Sequence, residues 1–148
     1  MLRVIGSLLI AAFKSGRSFY RRWCPFMVCT IKGTSMYPTL SDGDRILVAR
    51  LPFTAAPGRI ALIESPDPVH GWALAGQVKP GVLKPRLYVK RVIAQEGDHV
   101  PRGFPSITDK FVPDGMLILR GDHPASEDSK QWGYYPSSAV LGVMLTRL

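Results

Sequence analysis

The sequence predicts a small, mostly β protein. Thirteen prolines and fourteen glycines in 148 residues break the chain too often for a helical bundle. Between these breaks lie short apolar runs, and the run over residues 87–93 alternates as a strand does. Hydrophobic residues make up 46% of the chain, enough at this length for one globular core.

Taken in order, residues 1–23 form a separate amino-terminal unit. An apolar run over residues 4–13, interrupted by Gly6 and Ser7, is followed by Lys14, Arg17, Arg21 and Arg22 with Phe19, Tyr20 and Trp23 among them. A spanning helix needs roughly 20 apolar residues, so the pattern predicts an amphipathic or half-inserted helix whose basic end meets headgroups. No small-x-small site follows, which argues against a cleaved leader. The positive flank favours a cytoplasmic-facing domain if the helix inserts.

Residues 24–148 are the expected folded domain. Residues 24–31 predict the first strand, Ser41-Asp42-Gly43-Asp44 a turn, residues 45–51 the second strand and residues 59–63 the third. Residues 66–85 hold four prolines and three glycines and predict an irregular excursion. Strands are expected again over residues 87–93 and 116–120. Residues 126–130 predict a polar turn, residues 132–136 a further turn and residues 139–145 a closing strand.

The formal net charge of +8 suits nucleic acid or an anionic membrane surface. No basic-aromatic nucleic-acid motif stands out, and the clustering near the amino end favours the membrane. The two cysteines, Cys24 and Cys29, are an odd number of residues apart on a predicted strand. They therefore point to opposite faces, against an intrachain disulfide. No Cys/His grouping suggests a metal, and no cofactor is expected.

Chemistry concentrates first at Lys32-Gly33-Thr34-Ser35-Met36-Tyr37-Pro38-Thr39-Leu40. The chain leaves a strand and bends here, which would hold Ser35 exposed and fixed, as a nucleophile requires. The alternative is an ordinary strand-end serine. A base is then needed. His70, His99 and His123 all lie in loop-like sequence without an obvious orienting partner. Lys90 is the other candidate. In Leu87-Tyr88-Val89-Lys90-Arg91-Val92-Ile93 it shares a face with Tyr88 and Val92. If that face is buried, Lys90 enters the core and Arg91 points to water, and burial favours the neutral amine. The alternative is an edge strand with a solvated Lys-Arg pair.

Four ordered blocks are now available: Gly33-Thr34-Ser35-Met36-Tyr37-Pro38-Thr39-Leu40; Gly43-Asp44-Arg45-Ile46-Leu47-Val48; Lys90-Arg91-Val92-Ile93 with Glu96-Gly97-Asp98; and Gly121-Asp122-His123-Pro124-Ala125-Ser126-Glu127-Asp128-Ser129. Together they resemble the type I signal peptidases, a family that includes the mitochondrial inner-membrane peptidases. The resemblance implies a β-barrel-like catalytic domain and a Ser/Lys-dyad endopeptidase, with Ser35 as nucleophile and Lys90 as general base. It implies that Ser126 orients the lysine and that Asp128 pairs with Lys130, where the family more often has arginine. Asp122 and Asp128 should point away from a neutral Lys90. Some relatives place a hydroxyl two residues before the nucleophile. Gly33 stands there, leaving the Ser35 backbone N–H, or Thr34, to serve the oxyanion. The family usually has Gly-Asp where this chain has Gly58-Arg59. Larger members insert a cap after the lysine block, and residues 100–112 leave no room for one.

Three functions are compatible with the resemblance. The first is a membrane-associated leader peptidase, bacterial or organellar, acting on precursor proteins with small side chains before the cut. The second is a dedicated maturation protease for one intracellular precursor, such as nickel superoxide dismutase. The third is an inactive β module that binds peptides or membranes, against which the Ser35, Lys90 and Ser126 set argues. The expected partners are a precursor protein and a membrane surface, not nucleic acid.

Overall fold

The computed structural model describes residues 25–50, 55–66, 71–72 and 87–148. The expected amino-terminal helix, Cys24, His70 and most of the 66–85 excursion lie outside the described residues. Among the described residues, no helix is long and apolar enough to cross a membrane.

Among the described residues the apolar runs become strands, β1 (Phe26–Thr30), β2 (Arg45–Ala49), β3 (Ile60–Glu64), β4 (Leu87–Gln95), β5 (Met116–Arg120) and β7 (Gly142–Arg147), while the expected turn over residues 132–136 instead ends a short helix, α1 (Ser129–Trp132), and supplies a two-residue strand, β6 (Tyr135–Pro136), followed by a 3-10 turn over Ser137–Ala139. They form one sheet in the order β1-β2-β7-β3-β4-β5-β6, antiparallel throughout. The mostly β expectation holds. Because β1 and β6 are its edges, the described sheet is open rather than a closed barrel.

The closing strand starts at Gly142, not Ala139. Ala139 is buried in the 3-10 turn, and its carbonyl accepts the Tyr135 hydroxyl at 3.1 Å. The last strand then inserts between β2 and β3. A Cβ on Gly142 would stand 2.6 Å from both the Ala49 carbonyl oxygen and Val48 Cγ1. Only glycine lets the two backbones approach this closely.

Residues 60–63 are an uninterrupted apolar run because β3 is covered on both faces. Ala61 and Ile63 join Trp72, Val92, Leu117, Leu119, Tyr135 and Ala139 in one core. Ile60 and Leu62 join Ile31, Met36, Leu40, Ile46 and Val48 in another. A third cluster pins the 100–112 segment, where Phe104 and Val112 pack on Ala94 and Ile118.

β4 alternates as expected, with Lys90, Val92 and Ala94 buried. Its register on β5 shifts between Val92 and Ala94. Tyr88 departs from the expectation and is exposed, at the end of the strand where the core gives out.

Candidate active site

β1 leads into the bend that carries Ser35. Gly33, at φ 85°, donates its N–H to Asp42 Oδ1 at 2.7 Å. Beyond it the chain coils once: Tyr37 N–H reaches the Thr34 carbonyl at 3.0 Å, and Leu40 N–H reaches that of Met36 at 2.9 Å. Buried Met36 and Leu40 anchor this coil in the core, while Gly33 and Thr34 stay exposed. Ser35 is half-buried rather than exposed, because the loop after β5 lies over it. His123 N–H donates to the Ser35 carbonyl at 3.1 Å.

Lys90 enters the site from β4, opposite Ala61 on β3. The short Ala61 side chain leaves room for the lysine stem. The residue is 3% exposed, and its Nζ donates to Ser126 Oγ at 2.6 Å. The Tyr88 ring lies 5.7 Å from Nζ. Gly121 brings the pieces together. A Cβ there would collide with Ser126 Oγ and Cβ and stand 2.6 Å from the Ser35 carbonyl oxygen. The Gly121 backbone is thus the floor on which Ser35 and Ser126 meet.

Asp128 is fully buried because its carboxylate is spent on the loop. It accepts N–H groups from Gly121 at 2.9 Å and Lys130 at 3.0 Å, and lies 3.7 Å from Lys130 Nζ. Lys130 Nζ also donates to the Pro124 carbonyl at 3.0 Å. Asp128 is the N-cap of α1 in a capping box with Gln131. The expected polar turn over residues 126–130 is therefore a capped helix start. The spacing Asp128-x-x-Gln131 is the signal that was available for it. Ser129, which carried no expected role, is buried and accepts the Leu119 N–H at 2.9 Å.

Arg91 is half-buried and bonded rather than simply turned to water. Its guanidinium forks onto Asp122, with Nε 2.8 Å from Oδ1 and Nη2 2.6 Å from Oδ2. Nη1 donates to the Gly58 carbonyl at 2.8 Å, and Nη2 to Thr39 Oγ1 at 3.4 Å. On that side of β4 the loops after β1 and β5 and the turn before β3 each supply an acceptor to the guanidinium. The hydrogen bond from Arg91 holds the Asp122 carboxyl below its usual range, and the same bond raises the guanidinium. Asp122 is committed to Arg91, away from Lys90, as expected.

Burial pulls the Lys90 ammonium below the usual lysine value, against upward pulls from Asp128 and Glu127 and with a smaller downward push from Lys130. Asp128 turns its oxygens to the Gly121 and Lys130 backbone N–H groups, away from Lys90, although its charge still pulls the lysine upward. A lysine whose charged form is disfavoured by burial and whose amine is bonded to Ser126 has the character that proton abstraction from a hydroxyl requires.

The family described as "Signal peptidase, peptidase S26" matches residues 1–103. The chain is 29% identical over 143 residues to "Probable signal peptidase I-1" of Synechocystis sp., covering 79% of this chain and 68% of that protein. It is 26% identical over 137 residues to "Thylakoidal processing peptidase 1, chloroplastic" of Arabidopsis thaliana, covering 76% of this chain. The chain spans 39% of the length of that Arabidopsis protein and 35% of "Probable thylakoidal processing peptidase 2, chloroplastic" of the same plant.

Proposed function

Because the chain belongs to the type I signal peptidase family, we propose that it is a serine endopeptidase that removes an amino-terminal leader or propeptide from precursor proteins with a Ser35–Lys90 dyad. The observation that carries this reading is the buried Lys90 Nζ held at 2.6 Å by Ser126 Oγ, on a loop bonded to Ser35. Neutral Lys90 takes the Ser35 hydroxyl proton as Oγ attacks the scissile carbonyl. The Ser35 backbone N–H donates to the oxyanion. The tetrahedral intermediate collapses, the lysine gives its proton to the leaving amine, and an acyl-serine remains. Water, deprotonated by Lys90, then releases the acid and restores the hydroxyl. Ser126 orients the amine without adding a counter-charge. Asp128 and Lys130 hold the loop that carries it.

The basic and aromatic residues 14–23 support work at a membrane surface. The short 100–112 connection supports a narrower variant, a maturation protease for a single precursor. The test is direct. Ser35→Ala and Lys90→Ala should each abolish cleavage while the protein stays folded. Cleavage by Ser35→Ala at the wild-type rate would overturn the assignment.

A further inference from the structure

We propose that His123 is a positioning residue for the Ser35–Lys90 pair, acting through its imidazole on the turn that carries Ser126. The inference rests on the dyad reading above. Three hydrogen bonds converge on this residue. Its backbone N–H donates to the Ser35 carbonyl at 3.1 Å, and its own carbonyl accepts the Ser126 N–H at 3.0 Å. Its imidazole Nδ1 accepts the Ala125 N–H at 3.2 Å. The loop of the candidate nucleophile and the partner of the candidate base are therefore tied to one residue.

The two backbone bonds need no particular side chain, only a turn that keeps its shape. The third bond belongs to the side chain. It has the i to i+2 pattern by which Asn and Asp close turns on their own backbone. A backbone N–H can only donate, so Nδ1 carries the lone pair and the ring proton sits on Nε2. His123 thus does with a ring nitrogen what a turn asparagine does with its carbonyl. Lys130 Nζ grips the Pro124 carbonyl, the other side of the same peptide unit, and Asp128 caps α1 beyond the turn. The imidazole holds the N–H side of that peptide.

Removing the imidazole releases an exposed N–H to water, which costs the fold little. The freed turn lets Ser126 Oγ drift from Lys90 Nζ, and proton transfer tolerates such drift poorly. The role is one of placement, so it should appear in turnover and in the environment of Lys90 rather than in binding.

The experiment compares wild type, His123→Ala and His123→Asn by two readouts. One is cleavage of an internally quenched peptide with alanines ahead of the scissile bond. The other is the titration of Lys90 followed by 13C NMR of its Cε. His123→Ala should lower kcat about tenfold or more with little change in KM. It should also move the Lys90 midpoint upward, toward ordinary lysine, as water reaches the amine. His123→Asn should recover most of both. The proposal fails if His123→Ala leaves the Lys90 midpoint unchanged, or if His123→Asn is as impaired as His123→Ala. The dyad reading fails separately, if Ser35→Ala or Lys90→Ala still cleaves. The Lys90 titration reports on His123 in either case.

Discussion

Lys90 sits where two demands conflict. Its amine is buried against Ser126, which penalises the charged form, while Asp128 and Glu127 favour that form. Burial dominates, so the folded protein binds this proton less tightly than the unfolded chain does. Stability therefore rises with pH between the lowered folded value and the ordinary lysine value near 10.4. Cleavage should rise along a single ionisation in the neutral-to-alkaline range, and Ser126→Ala should move or weaken that limb. A pH–rate profile checks both, and a flat profile would contradict them. Lys90→Met should be inactive yet no less stable than wild type at neutral pH, because it exchanges a buried amine for an apolar side chain of similar length. Thermal melts decide this, and a clear drop in Tm would show that the amine stabilises the fold.

Elements hold the site through two carboxylates with different duties. Asp128 belongs to the α1 cap and the Gly121 turn. Asp128→Ala strips a buried acceptor from two backbone N–H groups and should cost about 2 kcal/mol of stability, read by urea unfolding. Asp122 belongs to β4 through Arg91. Arg91→Lys keeps the charge but loses the fork that joins β4, the Thr39 coil and the Gly58 turn. A loss of about 1 kcal/mol is expected, again from urea unfolding. The depressed Asp122 carboxyl gives the same sign of slope as Lys90, but in the acid range. Its contribution is present above the ordinary carboxylate value and is lost as pH falls through the folded value. The Arg91→Lys deficit should therefore shrink in acid, and a deficit that stays constant down to strong acid would exclude this pair as its source.

At the scale of the whole molecule, the insertion of β7 between β2 and β3 makes the carboxyl-terminal strand a central one. Gly142 is the point of closest approach. Gly142→Val drives a side chain into the Ala49 carbonyl and Val48 and should cost about 2 kcal/mol or more through overpacking. It should also broaden amide exchange across β2 and β3 together, and a wild-type melting curve would refute the close contact. The amino-terminal segment is expected to tether the protein to membranes rather than to span them. Release by carbonate supports this, whereas extraction only by detergent would show a span.

Apolar runs between Pro, Gly and Asp breaks are enough to locate β1 to β5 and β7, because strand propensity and burial pattern are local properties of the chain. Tyr135–Pro136, expected to turn, pairs with β5 as β6. The alternation of β4 was legible too, but which face is buried was not, since Tyr88 shares the parity of Lys90 and Val92 and is exposed. Ser35 and Lys90 are legible from local pattern, and the role of Ser126 comes from the family resemblance alone. The Lys90–Ser126 bond and the close approach of the Ser35 carbonyl and Ser126 to Gly121 belong to tertiary structure, because they join separate loops. The same holds for Arg91. Strand parity correctly put it opposite Lys90, but only the packing of three distant loops turned that face from solvent into a bed for its guanidinium. The central place of β7 was equally illegible, since sheet order is decided by which backbones can approach, and at Gly142 that was settled by the absence of a single Cβ.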